Sequence, residues 1–293
     1  MIALADGTVL LLYGAHQRTG DWDQAVLRAI RSSDRGRTWS QPETLFSDPE
    51  RSLFQPALAR LADGAIGLAY TSLRPAHDSC KLFRRSLDEG RTWSEPMQIS
   101  DDSHSHTTGP WDKLVTLENG RVIALLHASL EETAGKQIGP RGTYTVFSDD
   151  QGTTWSRAPA VGDLSLNQNP HGLDTWGFLE PSVVEWAPGQ LLMLARTSTG
   201  WLWESRSDDS GSTWSQPVRS PVPNPYAPPV LTRVPGTGVL VLLQNPRVDP
   251  DEIWLGARST LAFRTSRDGG VTWTEPTTVL ASPDPDLWFD YPA

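Results

Sequence analysis

One eight-residue motif, Ser-x-Asp-x-Gly-x-Thr-Trp, occurs five times in this chain. The copies recur about every 60 residues, and a fixed period of this length is the signature of a repeat architecture. They occupy residues 32–39, 86–93, 148–155, 207–214 and 266–273. The chain is therefore predicted to consist of similar units in tandem.

Each residue type in the motif suits a tight turn between two strands. The aspartate can accept hydrogen bonds from amides of the turn, and the glycine supplies a positive φ. The tryptophan is expected to begin the next strand and to pack between neighbouring repeats. A Ser or Thr and then a proline follow, as in Ser40-Gln41-Pro42, which suits an edge strand with few donors. Each motif is thus predicted to mark the outer rim of one unit.

A hairpin signal precedes each motif. Asp6-Gly7, Asp63-Gly64 and Asn119-Gly120 lie between short apolar runs, and such dipeptides are strong hairpin signals. A third strand follows each hairpin, and a fourth strand follows the motif. With 24 Gly and 24 Pro among 293 residues, this pattern predicts an all-β protein. Four strands per repeat make a β-propeller blade.

Composition narrows the classes of partner. No stretch approaches the roughly 18 apolar residues of a membrane span, and no signal peptide is visible. Cys80 is the only cysteine, so no internal disulfide is possible. The net charge of −10 argues against nucleic acid as a partner.

The repeated motif resembles the Asp box of the sialidase (neuraminidase) superfamily, and the resemblance covers nearly the whole chain. It implies a single domain over residues 1–293, a six-bladed sialidase-type β-propeller. Five blades are evident, and residues 287–293 resemble the opening strand of a sixth, so we expect parts of both ends to be missing. A complete five-bladed ring is the alternative. Asp boxes in that family are scaffold turns far from the active site.

Two arginines and a glutamate resemble the sialidase site. In segment 176–185, Glu180 stands before a proline at the head of an apolar strand, and Arg196 follows the next hairpin. By this resemblance Glu180 activates the nucleophile, and Arg196 belongs to a three-arginine clamp on the substrate carboxylate. Arg258 resembles a second arm, with Arg247 as a competing candidate. The planar fork of arginine can bind a carboxylate through two parallel hydrogen bonds.

The remaining catalytic candidates lie near the two ends of the chain. Residues 288–292 resemble the strand that delivers the nucleophilic tyrosine of the family, which would be Tyr291. Glu180 would remove its proton, because a phenol of pKa about 10 is a weak nucleophile at neutral pH. A neutral attacking group suits an anomeric carbon that already carries a carboxylate. Asp21 resembles the acid/base aspartate, with Asp23 as the alternative.

The start of the chain departs from the family pattern. The first clamp arginine of sialidases lies just ahead of a run such as Ile2-Ala3-Leu4, and no arginine precedes Arg18. Either the true chain begins upstream, or the clamp has only two arms. Trp176 is expected to line the pocket. His104 and His106 could suggest a metal site. A single pair of histidines in a polar loop usually does not bind a metal, so none is predicted here.

The sequence therefore predicts a retaining exo-α-sialidase that releases terminal sialic acid from glycoconjugates. It predicts no cofactor, and a sialylated glycan or another acidic sugar as the substrate. Two alternatives stay open: a non-catalytic Asp-box propeller that binds a glycan or a protein, and a hydrolase of a different acidic sugar.

Overall fold

The short apolar runs around each motif form antiparallel β-strands in a computed structural model of the chain. The structure describes residues 1–18, 23–74, 78–100, 107–108, 114–129, 141–162, 177–246, 258–284 and 287–289. These residues form 21 strands, and no α-helix occurs among them. The predicted all-β class is confirmed.

The first two sheets each contain four strands in chain order. The strands of the first sheet are β1 (Ile2–Ala3), β2 (Val9–His16), β3 (Ala25–Ser32) and β4 (Glu43–Phe46). Those of the second are β5 (Ser52–Arg60), β6 (Ile66–Arg74), β7 (Asp78–Ser86) and β8 (Met97–Gln98). Every neighbouring pair is antiparallel.

The other three sheets repeat this order, with one addition. The third contains β9 (Thr107–Thr108), β10 (Leu114–Thr116), β11 (Val122–Ser129), β12 (Arg141–Ser148) and β13 (Ser156–Arg157). Here β9 also pairs with β11, beyond the stretch that β10 covers. The fourth contains β14 (Leu179–Ala187), β15 (Gln190–Arg196), β16 (Trp201–Ser207) and β17 (Val218–Pro223). The fifth contains β18 (Val230–Arg233), β19 (Leu240–Gln244), β20 (Thr260–Ser266) and β21 (Thr277–Ala281).

In the second sheet, burial falls from the first strand to the fourth. β5 and β6 are buried along almost their whole length, β7 alternates, and β8 is exposed. This gradient and the four-stranded order are those of β-propeller blades, so the predicted propeller class is confirmed with five blades. Of the segment expected to open a sixth blade, residues 287–289 are described and form no strand. The sixth blade stays a prediction.

The repeated motif forms the turn that its residues predict. In the third copy the Asp150 carboxylate accepts hydrogen bonds from the Thr154 N–H (2.8 Å) and the Thr154 hydroxyl (2.6 Å). The Ser148 hydroxyl donates to the same carboxylate and accepts the Gly152 N–H. The other copies repeat these bonds. The residue before the motif glycine also has a positive φ in every copy; these residues are Arg35, Glu89, Gln151, Ser210 and Gly269.

One expectation about the motif was wrong. The tryptophan begins the next strand in none of the five copies; the nearest case is β13, which begins at Ser156, directly after Trp155. Trp39 is followed by Ser40, whose N–H donates to the Arg31 carbonyl oxygen, and β4 begins only at Glu43, directly after Pro42. Proline has no N–H to donate to a ladder, so the strand starts beyond it. The tryptophan does pack between repeats: the Trp155 ring meets Phe83 edge-on, with centroids 5.0 Å apart.

The contacts group the chain into two compact units. The first comprises residues 1–116, 120–128 and 146–156, and the second comprises 117–119, 129–145 and 157–293. Within the first, Leu10, Leu27, Ile66 and Leu68 belong to one apolar core cluster. Within the second, the core cluster includes Leu192, Leu194, Leu240 and Leu242. No helix long and apolar enough to cross a membrane occurs in the described part of the chain.

Candidate active site

Glu180 lies near the start of β14 in a left-handed backbone conformation, with φ 44°. Pro181 follows it, and the pairing of β14 with β15 shifts register between Leu179 and Ser182. A register shift of this kind re-aims a side chain. A left-handed residue other than glycine costs about 1–3 kcal/mol, and such residues cluster at functional sites. The backbone thus marks Glu180 as a candidate.

Arg196 ends β15 directly opposite Leu179, the neighbour of Glu180. Its Nε lies 2.9 Å from Glu180 Oε2, and both side chains are buried. A buried charge is costly unless it is paired and hydrogen-bonded. The ion pair therefore explains how both groups can occupy this position, and it fixes their relative orientation.

Tyr226 connects the two arginines. Its ring lies under the Arg196 guanidinium, with Cζ 4.2 Å from the ring centroid. Its main-chain carbonyl oxygen accepts a hydrogen bond from Arg258 Nη2. Tyr226 is 3% exposed. The sequence does not point to Tyr226, because segment 221–229 reads as a proline-rich link between blades.

Arg258 is 2% exposed and lies beside the last described residues of the chain. Its carbonyl oxygen accepts the Phe289 N–H at 2.9 Å, and its Cζ lies 5.8 Å from the centre of the Trp288 ring. The buried Asn245 amide donates to the carbonyl oxygens of Thr260 (2.8 Å) and Phe289 (2.9 Å). Segment 287–289 is thereby held against Arg258.

A second buried polar cluster, which the sequence did not indicate, lies in the first unit. Lys81 on β7 is 2% exposed, and its Nζ lies 3.3 Å from the Gln55 carbonyl oxygen and 3.4 Å from Thr71 Oγ1. Burial lowers the pKa of the Lys81 amine to about 7. Alternation along β7 buries Ser79, Lys81 and Phe83 on one face, and that period is the signal that could have identified the lysine.

A family model described as a BNR repeat-like domain matches residues 46–293. The chain belongs to this BNR repeat-like family. The match includes Glu180, Arg196, Tyr226 and Arg258, so the whole cluster lies inside the family domain.

Solved structures share the fold of this BNR repeat-like protein. The Hadza microbial sialidase Hz136 is 19% identical, with a TM-score of 0.72 over 95% of this chain and 57% of that chain. A protein of unknown function from Dyadobacter fermentans is 20% identical, with a TM-score of 0.72 over 95% and 80%. The NanB sialidase from Streptococcus pneumoniae is 12% identical, with a TM-score of 0.72 over 95% and 60%. The chain thus has a sialidase-like fold and spans 57% of the length of Hz136.

The structure of this BNR repeat-like protein brings three predicted site residues together within the second unit: Glu180, Arg196 and Arg258. Asp23, the alternative acid, lies in the first unit, where its carbonyl oxygen accepts the Ser52 hydroxyl at 2.9 Å. The other site candidates lie outside the described residues; these are Tyr291, Asp21, Arg247 and Trp176.

His104 and His106, at which the sequence predicts no metal site, also lie outside the described residues. Among the residues that are described, no group of three His, Cys, Asp or Glu side chains could hold a metal ion. Cys80 is partly buried, with its Sγ 3.8 Å from Arg51 Nη2.

Proposed function

We propose that this BNR repeat-like protein is a retaining exo-α-sialidase, a glycoside hydrolase that releases terminal sialic acid from glycoconjugates. The observation that carries the proposal is the cluster in the second unit. There, Arg196 and Arg258 are both held at Tyr226, and Glu180 is paired with Arg196. The sialidase-like fold supports it independently.

The two arginines support an acidic sugar as the substrate. Guanidinium groups bind carboxylates through charge-assisted hydrogen bonds that are stronger than neutral ones. The protein carries a net charge of −10, which repels an anionic sugar in general, so a local pair of arginines is needed to attract one. We assign Arg196 and Arg258 to the substrate carboxylate, with Arg247 as the competitor of Arg258 and Trp176 as a lining residue.

The proposed chemistry uses a tyrosine nucleophile, as sialidases do among glycoside hydrolases. Tyr291 attacks the anomeric carbon while Glu180 accepts the phenol proton, and Asp21, or Asp23, protonates the leaving oxygen. Segment 287–289, hydrogen-bonded to Arg258, supports this role for Tyr291, because the tyrosine follows shortly after it. A sixth blade that begins in this segment is part of the same proposal, and no cofactor is required.

Release of a fluorogenic aglycone from an α-sialoside tests the proposal. Glu180→Gln keeps the shape of the side chain but removes the base, so we expect kcat/KM to fall about 100- to 10,000-fold, the usual contribution of a general base. We expect Tyr291→Phe to lower turnover by orders of magnitude and to leave the fold intact.

A matched control is available on the same strand. Glu185 is a second buried carboxylate of β14, at its opposite end, where it accepts the N–H groups of Glu118 (2.7 Å) and Gly189 (2.8 Å). Glu185→Gln should leave kcat unchanged. Equal losses in both glutamate variants would indicate a general structural effect. A folded wild-type protein without turnover, or one that releases only a uronic acid, would contradict the sialidase assignment.

A further inference from the structure

We infer that Tyr226 is a positioning residue that orients both arginines of the proposed carboxylate clamp. It acts through two different groups, its ring on Arg196 and its main-chain carbonyl on Arg258. The inference rests on the proposed function only for the identity of the ligand, which is a sugar carboxylate. The contacts themselves belong to the protein without substrate.

Tyr226 restrains each of the two guanidinium groups through a different contact. The Cζ of Arg196 lies 4.2 Å from the centre of the Tyr226 ring, and the Nε of Arg196 lies 2.9 Å from the Glu180 carboxylate. Arg258 donates through Nη2 to the Tyr226 carbonyl oxygen, and its Cζ lies 5.8 Å from the Trp288 ring. One buried residue therefore links the orientations of two side chains that lie far apart in sequence.

The link around Tyr226 is itself held in place. The buried Asn224 amide donates to the carbonyl oxygens of Pro225 (2.5 Å) and Ala227 (2.8 Å). The Ala227 N–H donates to the Pro225 carbonyl oxygen at 2.6 Å, which closes a tight turn around Tyr226. Proline at 225 also restricts its own φ. Tyr226 thus has little freedom to move away from either arginine.

This turn is anchored beside Arg196. The Asn224 N–H donates to the Gly200 carbonyl oxygen at 3.1 Å, and Gly200 belongs to the loop that directly follows Arg196. The same loop is closed by the Thr197 hydroxyl, which donates to the Trp201 carbonyl oxygen at 3.0 Å. The ring of Tyr226 lies over Arg196 because both segments belong to one hydrogen-bonded corner.

Pre-oriented groups bind tightly because less freedom is lost on binding. Removal of the ring should therefore weaken carboxylate binding about 10-fold or more, because the attraction between a desolvated guanidinium and an aromatic face stabilises the oriented arginine by about that factor. The loss should be specific to the carboxylate, because the ring acts on Arg196, which is assigned to the carboxylate and not to the remainder of the sugar.

Two variants separate the ring from the hydroxyl. Tyr226→Leu removes the aromatic face and keeps the main-chain carbonyl, whereas Tyr226→Phe keeps the face and removes only the hydroxyl. The probes are 2-deoxy-2,3-didehydro-N-acetylneuraminic acid and its methyl ester, with dissociation constants measured by titration calorimetry. We expect the wild type and Tyr226→Phe to prefer the acid by the same factor, and Tyr226→Leu to lose about 10-fold of this preference. An unchanged preference in Tyr226→Leu would overturn the inference, as would an equal loss in Tyr226→Phe.

A measurement without ligand distinguishes failure of this inference from failure of the proposed function. The arginine Nε–H groups are observed by NMR in protein that carries isotope-labelled arginine. The signals of Arg196 and Arg258 are assigned by their loss in Arg196→Lys and Arg258→Lys. We expect slow exchange with water at both positions in the wild type and in Tyr226→Phe. In Tyr226→Leu we expect faster exchange at Arg196, which loses the ring, and unchanged exchange at Arg258, whose bond to the main-chain carbonyl remains. Unchanged exchange at Arg196 would overturn the inference even if the protein is a sialidase. Absence of binding by the wild type, together with the expected exchange, would reject the sialidase and retain the positioning role.

Discussion

Glu180 and Gln55 occupy corresponding places in two blades. Each has a left-handed backbone, precedes a proline and lies within a register shift of the first strand of its sheet. Thr71 lies opposite Phe54, as Arg196 lies opposite Leu179. Thr71 donates to the Gln55 side chain at 2.9 Å, whereas Arg196 forms an ion pair with Glu180. The backbone is shared, so the side chains alone decide which blade carries the charged site.

Lys81 provides a test at the same scale. Its folded pKa of about 7 lies below the ordinary value of 10.5. Between these two values the unfolded chain binds a proton that the folded chain does not. Because the unfolded state binds more protons in this range, a rise in pH disfavours it, and the free energy of unfolding increases with pH.

We expect the urea midpoint of the wild type to rise between about pH 7 and pH 9 and Lys81→Met to lack this component. Methionine fills the same buried space without a charge, so the variant is expected to be more stable than the wild type at pH 7. Parallel pH profiles for the two proteins would show that the Lys81 amine stays protonated in the folded state.

The Asp-box turn is the element that recurs in every blade, and in three copies its glycine lies against the preceding blade; these glycines are Gly90, Gly152 and Gly270. A Cβ built on Gly152 would lie 2.3 Å from the Phe83 ring, and one on Gly270 would lie 2.3 Å from Leu192. Since Phe83 also meets the Trp155 ring, glycine is needed here for close approach as well as for its positive φ. The turn therefore contributes to packing between blades.

Gly152 and Gly64 form a matched pair for testing this. Both have φ 88°, but a Cβ on Gly64 meets nothing within 4 Å. Gly64→Ala should cost about 1 kcal/mol from the left-handed backbone alone. Gly152→Ala adds overpacking against Phe83 and should cost roughly 2–4 kcal/mol. Urea unfolding of both variants measures the difference, and equal costs would show that Phe83 can move aside.

The five Asp boxes together contribute to the response of the whole molecule to acid. The pKa of the box aspartates is lowered to about 2 in four copies, chiefly because the threonine hydroxyl of each box donates to the carboxylate; these are Asp34, Asp88, Asp150 and Asp268. For Asp209, burial raises the pKa, but bonds from Thr213 and Ser207 outweigh it and the net direction is downward. The stabilisation is present above the ordinary value of 3.8 and is lost as the pH falls through about 2.

We therefore expect acid unfolding, followed by tryptophan fluorescence, to develop mainly between about pH 4 and pH 2. Thr154→Val removes the hydroxyl bond to Asp150 and should move the transition to higher pH. Thr153→Val is the control, because that hydroxyl donates to the main-chain oxygen of Asp150 instead. A transition complete above pH 4, or equal shifts in the two variants, would contradict this account.

Sequence alone indicated the blades and part of the candidate site. The motif turns depend on hydrogen bonds within a few residues, as between Asp150 and Thr154, so a local pattern is enough to predict them. Glu180 and Arg196 were found because they bracket one hairpin in a recognisable order. The start of β4 differs from the predicted one because Pro42 has no N–H to donate to the ladder, so the strand begins at Glu43.

The sequence by itself determined the all-β class, the repeat and the turn chemistry of this protein, because each depends on neighbours along the chain. Tertiary structure alone decided that Tyr226 lies between Arg196 and Arg258 and that the partner of the Lys81 amine is Gln55. These contacts join residues on different strands and loops, and their energies arise from stacking, burial and hydrogen bonds across those distances. No local sequence pattern predicts contacts between residues so far apart in the chain, so only the folded structure shows them.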